Sequence, residues 1–362
     1  MDPIEPTGRE RIVGLDLLRV LSMVMIIGLH MLGQGGILEA AAPGSAAWYA
    51  LRAMQCLFYC AVDCCGLLSG YVGSNRRENG PRLLLLWLTA VFYSLLFTLW
   101  FRWRSPLLVG REAFLRAVFP VLTLQYWYFT AYFGLGLIVP FLTGGLERLG
   151  SRSAVRGVLA LLVFFCLLPA LLHSDAFHLR GGYTFLWLLL LYLMGAALRK
   201  GGLFQRLGVI PAAMTCAACL ALTFTTVLRP VTVPGLSTIT LLSYTSPTVT
   251  VFAACLVLLF GRIRGKAGRA ASAVTALSRA SFGVYILHTN PLLWWLVFYP
   301  GCLARWAAWP AWVLALAVPL AAAGAYLACA AADGLRGLVF RALRLRERAE
   351  GLFARLFPAG EG

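Results

Sequence analysis

The chain has 362 residues, of which 60% are hydrophobic and 12% are charged, and its mean hydropathy is +0.81. In a soluble domain roughly a quarter of the residues are charged, so this composition excludes a large soluble domain and predicts a polytopic membrane protein. The formal net charge of +17 raises nucleic-acid binding as an alternative. The placement of the basic residues around membrane spans explains the charge better, so no nucleic-acid partner is expected.

Ten apolar stretches are each about long enough to cross a bilayer as a helix. They lie at approximately 14–33, 48–73, 83–101, 119–142, 154–172, 182–198, 208–228, 244–261, 279–299 and 309–333. The predicted fold is therefore all-α, a polytopic integral membrane helical bundle of about ten transmembrane helices.

The basic residues indicate how these spans are oriented. If successive connections lie on alternating sides of the membrane, 22 Lys and Arg residues lie on the side of the amino terminus and seven lie on the opposite side. Arg19 and Arg52 lie within spans. The positive-inside rule then predicts that both termini are cytoplasmic and that the protein is a multi-pass protein of the plasma (cytoplasmic) membrane.

The loops are short, so one integral domain is predicted for residues 1–335, followed by a basic tail at 336–362. Within the tail, RALRLRERAEGLFARLF alternates basic and apolar residues at helical spacing. This pattern predicts an amphipathic helix lying on the cytoplasmic surface of the membrane.

Two ionisable residues, Arg19 and His30, lie within the first apolar stretch. Eleven positions at about 100° each are about three helical turns, so both side chains share one face, about 16 Å apart. Because burial of such groups in lipid is costly, they indicate a functional site. The sequence after His30 contains Gly33, Gln34 and two more glycines, which predicts a break that lets a substrate approach closely.

Two carboxylates also lie at predicted membrane depth. Asp16 precedes Arg19 by three positions, which favours a local ion pair. Asp63 has no such neighbour in sequence, so either Arg19 or His30 is expected as its partner; a polar helix-packing contact is the alternative.

The other histidines and the cysteines give weaker signals. His173 and His178 flank Asp175 in one loop, where solvated side chains are a better interpretation than a metal site, and no metal is predicted. His288 shares a helix face with Tyr285 and Ser281. It is either a helix-end histidine with satisfied hydrogen bonds or a part of the site. Most of the ten cysteines lie at membrane depth, where packing is favoured over reactivity.

Four stretches together resemble a known family of membrane proteins. They are the R-x10-H spacing of Arg19 and His30, LLSGYVG followed by Arg76 and Arg77, QYWYFTAYFGLGLIVPFL, and SRASFGVYILHTNPLL. In this order they resemble acyltransferase family 3 over residues 11 to about 335. CAVDCC, which precedes the Ser-Gly-Tyr turn, departs from the aromatic-rich sequence of many relatives.

The resemblance implies transfer of an acyl group, commonly acetyl, from a cytoplasmic thioester such as acetyl-CoA to a hydroxyl of an extracytoplasmic glycan or related cell-envelope acceptor. Arg19, Arg76, Arg77 and Arg82 are then expected to bind the phosphates of the donor. His30 is expected to act on the acceptor hydroxyl as a general base or to carry the acyl group transiently as acyl-imidazole, and the sequence leaves both open.

Further residues are expected to support this reaction. Asp63 is expected to orient the His30 imidazole. Other residues are expected to line the channel or to polarise the thioester carbonyl: Gln34, Tyr71, Trp127, Tyr128, Ser281, Tyr285 and His288.

Two other classes of function remain open. One is a secondary transporter or flippase of an envelope precursor, although no internal repeat of the kind many transporters carry is visible. The other is a membrane module of a larger envelope assembly or sensor, with the basic tail as its docking surface. The residues do not identify the acceptor or the acyl chain.

Overall fold

The computed structural model describes residues 12–73, 80–107, 109–202, 207–232, 238–265 and 268–356. Arg76 and Arg77 lie outside these ranges. The helices, in chain order, are α1 (Val13–Leu32), α2 (Ile37–Ala40), α3 (Ala46–Phe58), α4 (Ala61–Gly73), α5 (Gly80–Arg104), α6 (Arg111–Val118), α7 (Trp127–Arg148), α8 (Ser151–Leu162), α9 (Leu168–Leu172), α10 (Phe185–Lys200), α11 (Val209–Leu228), α12 (Pro247–Phe260), α13 (Arg269–His288), α14 (Pro291–Leu293), α15 (Ala311–Ala342) and α16 (Leu345–Leu356).

The other regular elements are short. Val163–Leu167 is a π-helical turn that joins α8 to α9, and Trp294–Phe298 is a second one after α14. Arg180–Gly182 and Ala304–Ala308 are 3-10 turns. Val231–Thr232 pairs antiparallel with Thr238–Ile239 in a two-residue ladder.

Within the described ranges, eight helices are long and apolar enough to cross a membrane. One of the eight is formed by α3 and α4, which together span Ala46–Gly73. The shorter helices α10 and α12, with 16 and 14 residues, occupy the predicted stretches 182–198 and 244–261. The prediction of an all-α polytopic helical bundle is confirmed, while the total of ten spans and the cytoplasmic termini stay predictions.

The predicted boundaries of two spans are wrong. The stretch predicted at 279–299 is a helix over Arg269–His288. It ends there because Asn290 precedes Pro291, and the Asn290 side chain accepts a hydrogen bond from the backbone N–H of Leu292 at 3.0 Å, which starts a new turn. The stretch predicted at 119–142 begins as a helix only at Trp127.

Helices α4 and α10 cross at glycines. A Cβ atom at Gly70 would lie 1.8 Å from the carbonyl oxygen of Tyr192, and one at Gly195 would lie 2.0 Å from that of Leu67. Only glycine fits such a contact between two backbones, which is the small-residue packing typical of membrane helices. This close contact fixes α4, which carries Asp63, against α10.

Helix α1 lies at the centre of the bundle and packs against α4, α13 and α15. Its buried side chains include Leu15, Leu18, Ile26 and Ile27. Since α1 crosses the bundle once and α3 with α4 cross back, Gly73 and the start of α5 lie on the same side as Val13. The carboxyl end of α1 lies on the opposite side.

The carboxyl-terminal part of the chain is helical, as the sequence predicts. Helix α15 continues through the predicted domain boundary at 335 to Ala342, and α16 follows after a short turn. Helix α16 packs against α5, where Phe353 lies over Gly80. The division at 335/336 and the placement of α16 on the membrane surface stay predictions.

Candidate functional site

Arg19 is held by an ion pair near the first turns of α1. Its Nη1 atom donates to Asp16 Oδ1 at 3.1 Å and to Ser278 Oγ at 2.8 Å, and Ser278 also donates to Asp16 Oδ1 at 2.8 Å. The predicted Asp16–Arg19 pair is therefore confirmed. Because Asp16 is 5% exposed and compensates the positive charge, Arg19 offers hydrogen-bond donors more than net charge.

His30 lies near the opposite end of α1 and meets a second histidine. Its ring centroid is 5.2 Å from that of His288, with an angle of 35° between the planes. The rings of Trp294 and His30 pack edge to face, with their centroids 6.1 Å apart. The Nδ1 atom of His30 is buried and has no hydrogen-bond partner among the described residues. A buried polar atom without a partner is unusual and points to a functional role.

His288 is the last residue of α13 and is 8% exposed. Its Nδ1 atom is 2.7 Å from the carbonyl oxygen of Val284, one helical turn earlier. Its own carbonyl oxygen accepts a hydrogen bond from Trp294 Nε1 at 2.6 Å. Its Nε2 atom is buried and is also without a partner in the described part of the chain.

Two tyrosines, on α7 and α13, lead to the histidine pair. The ring centroid of Tyr128 is 5.8 Å from that of Tyr285. The ring centroid of Tyr285 is in turn 6.2 Å from that of His288. Tyr128, Tyr285, His288 and His30, all of them predicted site residues, therefore form one line of neighbouring side chains.

A shallow cleft lies on the Gly73 side of the bundle, away from His30. Its wall includes Arg82, whose Nη2 atom donates to the hydroxyl of Tyr132 at 2.7 Å. The Tyr132 ring stacks on Tyr128 at 6.3 Å with 16° between the planes. The cleft is therefore connected to the line of tyrosines that reaches the histidines. The other lining residues are Ser69, Gly73, Leu83, Leu135, Gly136, Val139 and Tyr192.

The sequence of the chain matches a known protein family. The acyltransferase domain of family 3 matches residues 12–328, which include every residue of the line and of the cleft. The chain belongs to acyltransferase family 3. Searches among curated proteins and among solved structures found no match. The protein is thus a multi-pass membrane acyltransferase, which implies an acyl donor, an acceptor and a lipid bilayer.

Asp63 in this acyltransferase has other partners than Arg19 or His30. It is 0% exposed, accepts a hydrogen bond from Trp187 Nε1 at 3.1 Å and another from Thr250 Oγ1 at 3.3 Å. Within the described ranges, Asp63 makes no contact with His30. These bonds join α4 to α10 and α12, in agreement with the alternative of a helix-packing contact.

The glycines after α1 serve the backbone of a neighbouring segment. Gly36 has φ +79°, and a Cβ atom there would lie 2.7 Å from Gly301 Cα. Gly301 N donates to the carbonyl oxygen of Gln34 at 3.0 Å, and Leu303 N donates to that of Gly35 at 2.9 Å. Residues 301–303 therefore pack against the backbone of this break, and the Gln34 side chain is exposed. The approach of a substrate at this break stays a prediction.

Three other predicted channel residues have packing partners. Ser281 Oγ is 3.0 Å from the hydroxyl of Tyr326 on α15. Trp127 packs on Tyr128 with ring centroids 5.6 Å apart. The carbonyl oxygen of Tyr71 accepts a hydrogen bond from Arg199 Nη1 at 2.9 Å, and the Arg199 cation lies over the Tyr71 ring at 5.8 Å.

In the loop that contains His173 and His178, the Asp175 carboxylate caps backbone N–H groups. Asp175 accepts hydrogen bonds from the N–H groups of Leu179 at 2.6 Å and Arg180 at 2.9 Å. His173 and His178 are exposed. No group of three or more His, Cys, Asp or Glu side chains that could hold a metal occurs in the described part of the chain.

Sequence reasoning missed a polar network beside the histidine pair. Asn290 is 0% exposed and donates to the hydroxyl of Tyr126 at 2.9 Å, and this hydroxyl is 3.0 Å from Ser94 Oγ. Trp294 was missed as well. The Asn-Pro pair that follows His288 was the available signal, because it ends α13 and turns the chain back over the two rings.

We expect Asp63 to act through packing. Asp63→Asn keeps an acceptor oxygen for Trp187 and is expected to retain wild-type thermal stability and acyl transfer. Asp63→Ala leaves the Trp187 N–H without a partner and is expected to lose about 1–3 kcal/mol of unfolding free energy. Thermal unfolding in detergent measures the stability. A folded Asp63→Asn protein without activity would contradict the packing role.

Proposed function

We propose that this acyltransferase takes an acyl group, in the simplest case acetyl, from cytoplasmic acyl-CoA and transfers it to a hydroxyl of an extracytoplasmic glycan or related envelope acceptor. The observation that carries the proposal is the line of side chains from the Arg82 cleft through Tyr132, Tyr128 and Tyr285 to the histidine pair. This line joins opposite sides of the bundle. We propose that a donor on one side and an acceptor on the other meet along this line.

The cleft has the features expected for the donor end. The connections on its side of the bundle carry most of the basic residues of the chain, which by the positive-inside rule marks this side as cytoplasmic. Arg82 provides a guanidinium group at the cleft wall, suited to the phosphates of CoA. Arg76 and Arg77 belong to the adjoining connection and are proposed to contribute further phosphate contacts.

The tyrosine line has the features expected for the donor's pantetheine arm. This arm is long, narrow and mostly apolar, with two amide groups. Tyr128 and Tyr285 offer ring surfaces together with hydroxyl groups. Arg19, with its charge compensated by Asp16, can donate hydrogen bonds to a carbonyl oxygen here without leaving an uncompensated buried cation.

An aromatic cluster near the start of α7, on the His30 side, supports a sugar-containing acceptor. Tyr183 is 50% exposed, and its ring lies 4.9 Å from Trp127 and 5.1 Å from Tyr244. Tyr244 stacks on Tyr59 at 4.7 Å. Aromatic faces with polar hydroxyl groups suit the mixed apolar and polar surface of a sugar ring.

In the proposed reaction, His30 acts as general base at the outer end of the path. The acceptor oxygen attacks the thioester carbonyl carbon, a C–O bond forms and the C–S bond breaks. His30 takes the proton from the acceptor hydroxyl and passes it to the departing sulfur, which leaves as the free thiol of CoA. The acyl-imidazole alternative differs in one observable: it retains labelled acyl group on the protein when the acceptor is absent.

His30→Ala is expected to lower acyl transfer by about 100-fold or more while leaving a folded protein in the membrane, because the general base is lost. The measurement is transfer of labelled acyl group by purified protein in detergent. His178→Ala, in the exposed loop, is the matched control and is expected to be fully active. Full activity of His30→Ala would contradict the mechanism.

Arg82→Ala is expected to weaken binding of acyl-CoA by about 10-fold or more, since charged hydrogen bonds contribute about 1.5–3 kcal/mol. Binding of acyl-pantetheine, which has no nucleotide phosphates, is expected to be unchanged. Arg19→Gln is expected to weaken the binding of both donors, because the proposed path places Arg19 against the pantetheine arm that both donors contain. Titration of the purified protein with each donor measures the two dissociation constants, and Arg116→Ala is the control.

An Arg82→Ala protein that binds acyl-CoA like the wild type would remove the cleft from the donor site. Arg116 is a suitable control because it lies on the His30 side of the bundle and pairs with Glu112 at 2.5 Å.

A further inference from the structure

The two imidazoles at the outer end of the path each keep one buried nitrogen without a partner. These atoms are His30 Nδ1 and His288 Nε2, and no described residue forms a hydrogen bond with either. The rings are 5.2 Å apart between centroids and only 35° from parallel. A hydrogen bond between these two nitrogens, direct or through one water, would satisfy both atoms with one contact.

The tautomer of His288 follows from its other nitrogen. The carbonyl oxygen of Val284 can only accept a hydrogen bond, so His288 Nδ1 at 2.7 Å must carry the hydrogen. In the neutral ring, Nε2 is then an acceptor. The Trp294 bond to the His288 carbonyl oxygen anchors the same residue from its backbone. His288 therefore presents a fixed acceptor beside His30.

No carboxylate of the described chain serves His30 in this way. Asp63, expected to orient the imidazole, is bound by Trp187 and Thr250. Asp16 is bound by Arg19, Ser278 and Thr275 at the other end of α1. A general base needs an orienting partner on its second nitrogen, because the tautomer decides which nitrogen faces the substrate. His288 stands where such a partner is needed.

We propose that His288 is the positioning residue of His30: its Nε2 accepts a hydrogen bond from His30 Nδ1–H and leaves His30 Nε2 free for the acceptor hydroxyl. This inference rests on the proposed function of His30 as general base. When His30 Nε2 takes the hydroxyl proton, His288 Nε2 stabilises the resulting imidazolium through the same hydrogen bond. The proton then goes from His30 Nε2 to the departing sulfur, and His288 ends the cycle unchanged.

Two amide substitutions separate the anchor of His288 from its acceptor. In His288→Asn, the amide nitrogen takes the place of Nδ1 and keeps the bond to Val284, but no atom replaces Nε2. In His288→Gln, the amide oxygen reaches the place of Nε2. We expect His288→Asn to lower kcat about 100-fold with an unchanged KM for the donor. We expect His288→Gln to keep kcat within about 10-fold of the wild-type value.

The tautomer of His30 gives a readout that a purely structural role does not move. The chain has four histidines, so ¹⁵N-histidine NMR resolves each ring, and His173→Gln with His178→Gln removes the two exposed ones. The wild type is expected to show hydrogen on Nδ1 of both His30 and His288. His288→Asn is expected to shift His30 toward the Nε2–H tautomer, and His288→Gln to retain Nδ1–H.

Several results would overturn the inference. They are a wild-type His30 in the Nε2–H tautomer, equal losses of kcat in the Asn and Gln variants, and wild-type kcat in His288→Asn. The wild-type spectrum alone decides the pairing if the variants do not fold. A purified wild type that transfers no acyl group refutes the proposed function instead, and the tautomer remains readable in that protein.

Discussion

The packing of α13 along α1 is the interaction on which the rest of the structure depends. Lipid does not solvate ions, so the charged and titratable groups of α1 need partners from other helices. Helix α13 supplies them at both ends: Ser278 bonds to Asp16 and Arg19, and His288 meets His30. One helix pair therefore both compensates the polar groups of α1 and fixes their separation along the path.

This arrangement gives the two sides of the bundle different chemistry. At the first side, the cleft and Arg82 offer positive charge close to a surface on which basic residues concentrate. At the second side, the imidazole rings of His30 and His288 lie together in a buried setting, and Trp294 packs against His30. Tyr128 and Tyr285 connect the two sides with apolar rings, which is the setting in which a thioester can be exposed to a hydroxyl while most water is excluded.

The sequence predicted the parts of this account that depend on local spacing. Composition and apolar stretches predicted the membrane bundle, the i, i+3 spacing predicted the Asp16–Arg19 pair, and the order of motifs predicted the family. The alignment of Tyr285 and His288 on one helix face also followed from spacing. The Asp16–Arg19 pair and the alignment of Tyr285 with His288 each lie within a few turns of one helix, where geometry is fixed by the backbone.

The sequence did not predict contacts between distant helices. The pairing of His30 with His288 and of Asp63 with Trp187 depends on which helices pack together, and one sequence contains no distance information for such pairs. The packing of residues 301–303 against the glycines after His30 was not predicted for the same reason, because this segment lies far away in the sequence. The end of α13 at His288 was readable from Asn290-Pro291, but the apolar residues that follow obscured it.

In the proposed reaction, the donor crosses the bundle from the Arg82 cleft to the histidine pair. A structure of the protein with a non-transferable acyl-CoA analogue, in which a methylene group separates the sulfur from the acyl carbonyl, tests this route. We predict the phosphates at Arg82, the pantetheine arm along Tyr132, Tyr128 and Tyr285, and the acyl carbonyl beside His30. A bound analogue whose acyl group lies away from His30, or whose nucleotide lies on the His30 side, would contradict the account.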